Sequence, residues 1–310
     1  MNKSVLITGG AGFIGSHTCL ALLDSGYKIF IIDSFENSSI ETIDLLKKYS
    51  NNSQGKLIDF FEGSICDLKI LEEVFEKSRE LSQPINAVIH FAGLKSVSCS
   101  IKDPIRYWHN NVFGTLNLIK VMNNFDCRTM VFSSSATVYG DYSESPISEN
   151  ASIDSINCYG STKVAIEKLL FDVFKSNPKK WKICSLRYFN PIGAHPLGNL
   201  GENCINKPSN IFPNICKAAS GSINSLKIYG KDWPTPDGTC IRDYIHIMDL
   251  AAGHLASLNY LERNIGQFTP INLGTGKGTS VLELVKTFEN ENEIKVPYKF
   301  VERRLGDSPV

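Results

Sequence analysis

Residues Ser4 to Thr8 form a short run suited to a buried strand. They lead directly into Gly9-Gly10-Ala11-Gly12-Phe13-Ile14-Gly15 and an apolar-periodic segment that ends near Ser25. A strand, a glycine-rich turn and a helix in that order restrict the fold sharply. Glycines at the turn let the chain bend tightly and let a pyrophosphate approach backbone amides, and the helix N-terminus favours the negative charge. A second apolar run, Lys28 to Asp33, ends on a carboxylate eighteen residues after Gly15. A carboxylate there accepts ribose hydroxyls and repels an extra 2′-phosphate, and no arginine follows at Ser34 or Phe35. The combination predicts NAD as the dinucleotide, held by Gly9, Gly12, Gly15 and Asp33.

The rest of the first half repeats the same alternation. Further strand-like runs are Leu57 to Phe61, Ala87 to Phe91, Met130 to Ser134 and Ile183 to Arg187. Helical patterns lie between them at Ile40 to Tyr49, Leu68 to Ser78, Tyr107 to Asn123 and Tyr159 to Phe174. Continuous apolar strands alternating with helices predict an α/β fold of Rossmann type, a doubly wound parallel sheet. After about Pro191 the texture changes. A Gly-, Pro- and Asn-rich connection over 193–210 precedes shorter mixed elements: helices near Ile211 to Ser220, Met248 to Leu261 and Ser280 to Phe288, and strands near Ser225 to Tyr229 and Pro270 to Leu273. This predicts two domains: 1–190 for the cofactor and the catalytic residues, and 191–310 as a smaller substrate domain capping the cleft. Ligands of open α/β sheets sit outside the carboxyl ends of the strands, which is where that cleft lies.

Charge excludes some partners. Lys plus Arg and Asp plus Glu are 32 each, so no net field draws the chain to nucleic acid or to an anionic membrane. The nine cysteines are odd in number and scattered, with no C-x-x-C pair, so neither a disulfide framework nor a metal site is expected. The apolar run after Lys3 is too short for a signal segment and nothing approaches a membrane span, which suggests the cytoplasm.

The chemistry sits in Tyr159-Gly160-Ser161-Thr162-Lys163. Positions i and i+4 share one helix face, so phenol and ammonium point the same way, and a cation beside a phenol favours the phenolate. Such a phenol can take a proton from a hydroxyl as hydride leaves the same carbon. The run Ser133-Ser134-Ser135 closes a strand just upstream and offers a hydroxyl at the same end of the sheet. Alone, Y-x-x-x-K is also the pattern of an ordinary surface helix pair.

The segments TGGAGFIGSH, HFAGLKSV, NNVFGT, SSSATVYGD, YGSTK, RYFNPIGAHPLG, DGTCIRDYIHIMDLA, NLGTGKG and ERRLGD run in order along the whole chain. Together they resemble the UDP-glucose 4-epimerases of the extended short-chain dehydrogenase/reductase family. The resemblance implies a reversible epimerisation of UDP-glucose and UDP-galactose through a 4-keto sugar, with NAD bound throughout, and a homodimer built on a helix pair. It implies Tyr159 as base, Lys163 as its partner toward the cofactor ribose, and Ser135 as the hydroxyl on the sugar's 4-oxygen. Further cofactor positions are Phe13, Ile14, Asn37, Ser38, Ser64, Ile65, Phe91, Ala92, Gly93, Lys95, Asn111 and Tyr188. Positions for the UDP-sugar are Lys95, Asn190, Asn210, Tyr229, Arg242, Arg304 and Asp307, with two arginines for the diphosphate and Tyr229 stacked on uracil.

Departures from the family pattern are few. Ser64 stands where an aspartate contacting adenine is usual, Lys227 is longer than expected near the uracil strand, and the chain stops at Val310, just before the residue that gates the sugar pocket. Elimination chemistry, the closest rival, requires an acid just after the active-site hydroxyl. Ala136 and Thr137 stand there instead. An epimerase for acidic sugars would carry more positive charge at the sugar. A catalytically dead NAD-binding regulator would have no need to keep Ser135, Tyr159 and Lys163 together.

Overall fold

The computed structural model describes residues 4–141, 144–203, 210–304 and 306–310. Its first half alternates β1 (Ser4–Thr8), α1 (Phe13–Asp24), β2 (Lys28–Asp33), α2 (Ile40–Ser50), β3 (Lys56–Glu62), α3 (Leu68–Glu80) and β4 (Ala87–His90). Two short helices follow, α4 (Val97–Lys102) and α5 (Pro104–Tyr107), then a π-helical turn (Trp108–Phe113), α6 (Gly114–Asn124) and β5 (Thr129–Ser135). A 3₁₀ turn (Ala136–Tyr139), α7 (Cys158–Ser176) and β6 (Lys182–Tyr188) complete this half. The second half runs β7 (Asn190–Ile192), α8 (Ile211–Ala219), β8 (Leu226–Tyr229), β9 (Ile241–His246), α9 (Ile247–Arg263), β10 (Gln267–Leu273), β11 (Gly278–Ser280), α10 (Val281–Asn292) and β12 (Tyr298–Val301).

Seven strands form one parallel sheet in the order β10-β6-β5-β4-β1-β2-β3. Every residue of β1 and β4 is buried, because helices cover both faces of the sheet. Strand order reverses between β1 and β4, so the loops after these two strands diverge and leave a crevice, the topological switch point at which such sheets bind ligands. This is the doubly wound, Rossmann-type sheet expected from the alternation.

The remaining strands make a small three-stranded sheet, β11-β9-β7, and a parallel pair, β12-β8. Ile215, Ala218, Leu226, Ile228, Val285 and Val296 form a separate core there. The chain does not stay in this second region. It returns after β9 through α9 to β10, which pairs with β6 as the edge of the main sheet. Helix α9 packs on α1, which explains why α1 is buried on nearly every side and shows little amphipathic pattern.

Several boundaries differ from the sequence reading. The single helix expected over 107–123 is α5, the π-helical turn and α6 in succession, and α4 and β9 were not anticipated. Of the connection expected over 193–210, residues 204–209, with Cys204, lie outside the described residues, as do Met1 to Lys3. No helix among the described residues is long and apolar enough to cross a membrane.

Candidate active site

One continuous cleft of about 600 Å³ runs from the glycine loop after β1, past the ends of β4 and β5, to the β7–β9 sheet. At one end the loop is shaped by its glycines. Gly9 takes φ +71°, and a Cβ there would meet the Ala92 amide nitrogen at 2.8 Å; a Cβ on Gly15 would lie 2.3 Å from the Gly9 carbonyl. The Gly12 position is different: a Cβ would meet only the Gly9 carbonyl, at 3.3 Å, so the loop leaves its cleft side open. Helix α1 begins beneath with no side-chain cap, so its first amides face the cleft unclaimed by a capping side chain. A glycine cradle, open backbone donors and an acid at the end of β2 together fit a dinucleotide.

Asp33 is buried and also organises this end. Its Oδ2 accepts from the Ala11 amide at 2.9 Å, and its Oδ1 accepts from the Phe35 amide at 3.0 Å and the Ser38 hydroxyl at 2.8 Å. It therefore ties the glycine loop to the loop after β2 while its remaining lone pairs face the cleft. Asn37, Ser38, Ser64, Ile65, Phe91, Ala92, Gly93 and Lys95 also line the cleft. Ser64 accepts from the Cys66 amide at 3.1 Å, which leaves its hydroxyl proton for another acceptor.

At the middle of the cleft β5 meets α7. Asn157 caps α7 by accepting from the Gly160 amide, and Ser100 accepts from the Tyr159 amide at 3.1 Å, so α4 fixes where the helix starts. Tyr159 and Lys163 share one face, as their spacing requires; Lys163 is buried and Tyr159 half-buried against the cleft. The Lys163 ammonium donates to the Ser133 carbonyl at 2.6 Å and stands 4.8 Å from the Phe132 ring centroid and 5.8 Å from that of Tyr159. Ser135 accepts from the Thr137 amide at 3.2 Å and from its hydroxyl at 3.0 Å. That leaves the Ser135 proton free to be donated, and the hydroxyl faces the same cleft as the Tyr159 phenol, whose ionised form it favours.

The expected lowering of the phenol is not what this site shows. Burial pushes Tyr159 up to about 12, the Ser135 hydroxyl working the other way. Burial also holds Lys163 down at about 8, with Glu167 opposing. Spacing places the cation on the right face but says nothing of desolvation, which is the largest influence on the phenol here.

Toward the second region the cleft is lined by Tyr188, Asn190, Asn210, Arg242, Arg304 and Asp307. Arg242 donates to the Ser308 carbonyl at 2.9 Å, and Arg304 grips Asp307 with a forked pair, 2.8 Å at its shortest. Lys95 pairs with Glu202 at 3.2 Å, and Glu202 also accepts from the Asn210 amide group at 2.6 Å. Glu202 lies in a Gly/Asn-rich stretch and carries no periodic or motif signal, so sequence alone does not single it out.

Two expected contacts stand apart from the cleft lining. Asn111 is buried behind it and fully engaged: its side chain accepts from the Leu94 amide and donates to the Leu94 carbonyl and the Thr162 hydroxyl. Held by the π-helical turn, it straps the loop after β4 to α7. Tyr229, at the end of β8, lies outside the cleft lining with its ring exposed and the Arg304 guanidinium 5.3 Å from the ring centroid. Lys227 is exposed on the same strand, opposite Lys299. His90 is structural, bonded to Thr8 and Thr115 and held neutral by burial.

Residues 5–274 match the family described as "NAD dependent epimerase/dehydratase family". A pea (Pisum sativum) protein named bifunctional UDP-glucose 4-epimerase and UDP-xylose 4-epimerase 1 is 45% identical over 99% of this chain and 86% of its own length. The UDP-glucose 4-epimerase of Bacillus subtilis (strain 168) is 44% identical over 98% of this chain and 86% of its own. Among solved structures, UDP-glucose 4-epimerase from Bifidobacterium longum in complex with NAD+ and UDP superposes with a TM-score of 0.92 at 41% identity, covering 99% of this chain and 88% of that one.

Proposed function

The chain belongs to the NAD dependent epimerase/dehydratase family, and on that premise we propose that it is a UDP-glucose 4-epimerase, interconverting UDP-glucose and UDP-galactose with NAD as a resident cofactor. The observation that carries this reading is the convergence of Ser135, Tyr159 and Lys163 on the centre of a cleft with a dinucleotide cradle at one end and two arginines at the other. NAD, when bound, supplies a two-electron acceptor that can return what it takes.

The chain's own residues handle the proton and the positioning. A sugar 4-hydroxyl set between Ser135 and Tyr159 meets a donor and an acceptor at once. Tyr159, directly or through Ser135, accepts its proton as the carbon becomes a ketone and returns it when the alcohol is restored. Burial makes that phenol a poor acid, so it needs nearby positive charge, and the Lys163 ammonium on the same helix face supplies it. Arg242 and Arg304 hold the diphosphate with forked donors, and Asp307 and Asn210 hold the nucleotide side, while the keto-sugar presents its other face. No acid follows Ser135 to drive elimination; Thr137 instead bonds the serine.

The work divides along the chain: residues 1–190 hold NAD and the catalytic groups, and 191–310 supply the UDP-sugar contacts, with α9 and β10 given back to the sheet. The eight described cysteines are free thiols, which suits a cytoplasmic enzyme of galactose and nucleotide-sugar metabolism. Exposed Ile105, Trp108, Phe113 and Leu116 follow one another along the α5–α6 stretch, with Phe171 exposed on α7, and support a homodimer through these helices; a solution mass of one chain by light scattering would refute it. The activity is tested by incubating purified protein with UDP-galactose and no added NAD and following the sugar by NMR. UDP-glucose is the expected product; a 4-keto-6-deoxy sugar would overturn the assignment in favour of elimination.

A further inference from the structure

We propose that Glu167 is a positioning residue for the Ser135, Tyr159 and Lys163 site: its carboxylate, one helical turn beyond Lys163, clamps α7 to β5 and β6 and so fixes the spacing of the three side chains. The proposal rests on the reading that these three residues handle the sugar proton.

Tyr159, Lys163 and Glu167 recur at intervals of four and form one stripe along α7. That stripe meets consecutive residues of β5. Lys163 bonds the Ser133 carbonyl, Glu167 Oε1 accepts from the Ser134 hydroxyl at 2.5 Å, and Ser135 opens into the cleft that Tyr159 also lines. A slip of the helix against the strand would break all three matches together. The neighbouring strand closes the clamp. Arg187 of β6 lies opposite Ser134 in the sheet register and grips both Glu167 oxygens, at 3.0 Å from Nε to Oε1 and 2.6 Å from a terminal nitrogen to Oε2. Its other terminal nitrogen donates to the Tyr139 hydroxyl and the Glu149 carbonyl, both at 3.0 Å, and Tyr139 donates to Asn272 in the cleft wall at 2.7 Å.

Stability alone gives little reason for this arrangement. The Glu167 and Arg187 side chains are only 6% and 4% exposed, and an apolar pair of equal volume serves a core as well as a buried ion pair does. What the ion pair adds is direction, because each oxygen and each guanidinium nitrogen has an assigned partner. Glu167 also acts on Lys163, whose ammonium has a carbonyl and two ring faces around it and is held down by burial against the pull of Glu167. The other titratable groups facing this point are Tyr159 on the same helix, His90 from β4, and Tyr188 and Arg187 from β6.

Two variants test the proposal. Ser134→Ala removes the strand contact and leaves the ion pair intact; the paired Glu167→Gln/Arg187→Met removes the clamp without stranding a buried charge. Each is checked for cooperative unfolding and bound NAD, then for kcat, KM and the pH profile of kcat. We expect kcat to fall about tenfold in the first and on the order of a hundredfold in the second, with KM for UDP-glucose within about twofold. In the paired variant the alkaline limb of kcat should also move to lower pH, because Lys163 loses the carboxylate that supports its charge; a merely structural loss would not move it. Parent-like kcat in folded, NAD-loaded Ser134→Ala, or an unmoved alkaline limb in the paired variant, overturns the proposal. Tyr159→Phe run alongside separates the two readings. If it is fully active, the premise fails and the proposal with it; if it is dead beside parent-like Ser134 and Glu167 variants, the proposal alone fails.

Discussion

Replacing Asp33 by Asn separates two roles that the sequence merges into one. Read as a ribose acceptor, Asp33 matters only when the dinucleotide is present. In the structure it also accepts from the Ala11 amide, the Phe35 amide and the Ser38 hydroxyl within 3.0 Å, at a site 8% exposed. Asn keeps the shape and one acceptor oxygen but turns the other into a donor. The Ser38 hydroxyl can rotate to accept from it; neither backbone amide can. Whichever way the new side chain flips, one buried N–H loses its partner, at a cost of about 1–3 kcal/mol, and the surviving bonds lose their charge assistance. We therefore expect Asp33→Asn to lower the unfolding free energy of the NAD-free protein by about 2–3 kcal/mol, read from urea denaturation at pH 7. The same distortion of the glycine loop should weaken NAD by tenfold or more, since about 1.4 kcal/mol corresponds to one decade. An unchanged urea midpoint in the NAD-free variant, together with weakened NAD, would refute the anchoring role and leave only the ribose contact.

Two further expectations follow from the site. Tyr159→Phe should cut turnover by about a thousandfold or more while the protein still purifies with NAD; NAD-loaded protein with full turnover would rule out Tyr159 as the base. Burial lowers His90 to about 3 and His254 to about 4, so both stay neutral in the fold while the unfolded chain protonates them below about 6.5. The unfolded state then binds more protons, and stability should fall as pH drops from 6.5 toward 4, the loss levelling off once the folded state also takes up those protons. Urea midpoints that are equal at pH 7 and pH 5 would contradict this.

How far the sequence reaches can be judged element by element. The β1 to α1 segment is legible because a buried strand and a glycine turn each leave a local mark. Helix α4 is not: six residues held by a Ser96 cap are too few to show a period. The break between α5 and α6 is hidden because a π-helical turn inserts without proline or glycine in its six residues. Strand β9 mixes Arg242 and Asp243 with apolar residues because it lies in a small, half-covered sheet rather than between helices. Most of the cleft residues were placed by motif. Asn111 and Tyr229 fall outside the cleft lining, and local sequence cannot say that Asn111 is already engaged by Leu94 and Thr162 or that Tyr229 stands beside Arg304. The direction of the Tyr159 shift was missed for a related reason: spacing reports proximity, and only the fold reports how much water is gone.

The return of the chain to the main sheet has a mechanical consequence. Only Phe189 separates β6 from β7, nothing separates β9 from α9, and four residues separate β10 from β11. The smaller lobe is thus moored at three short joints along different strands. A lobe joined at one point can swing like a door, whereas three short joints restrict such a swing. A lobe held in this way favours a fixed cleft wall, and turning over is then a matter for the cargo inside it.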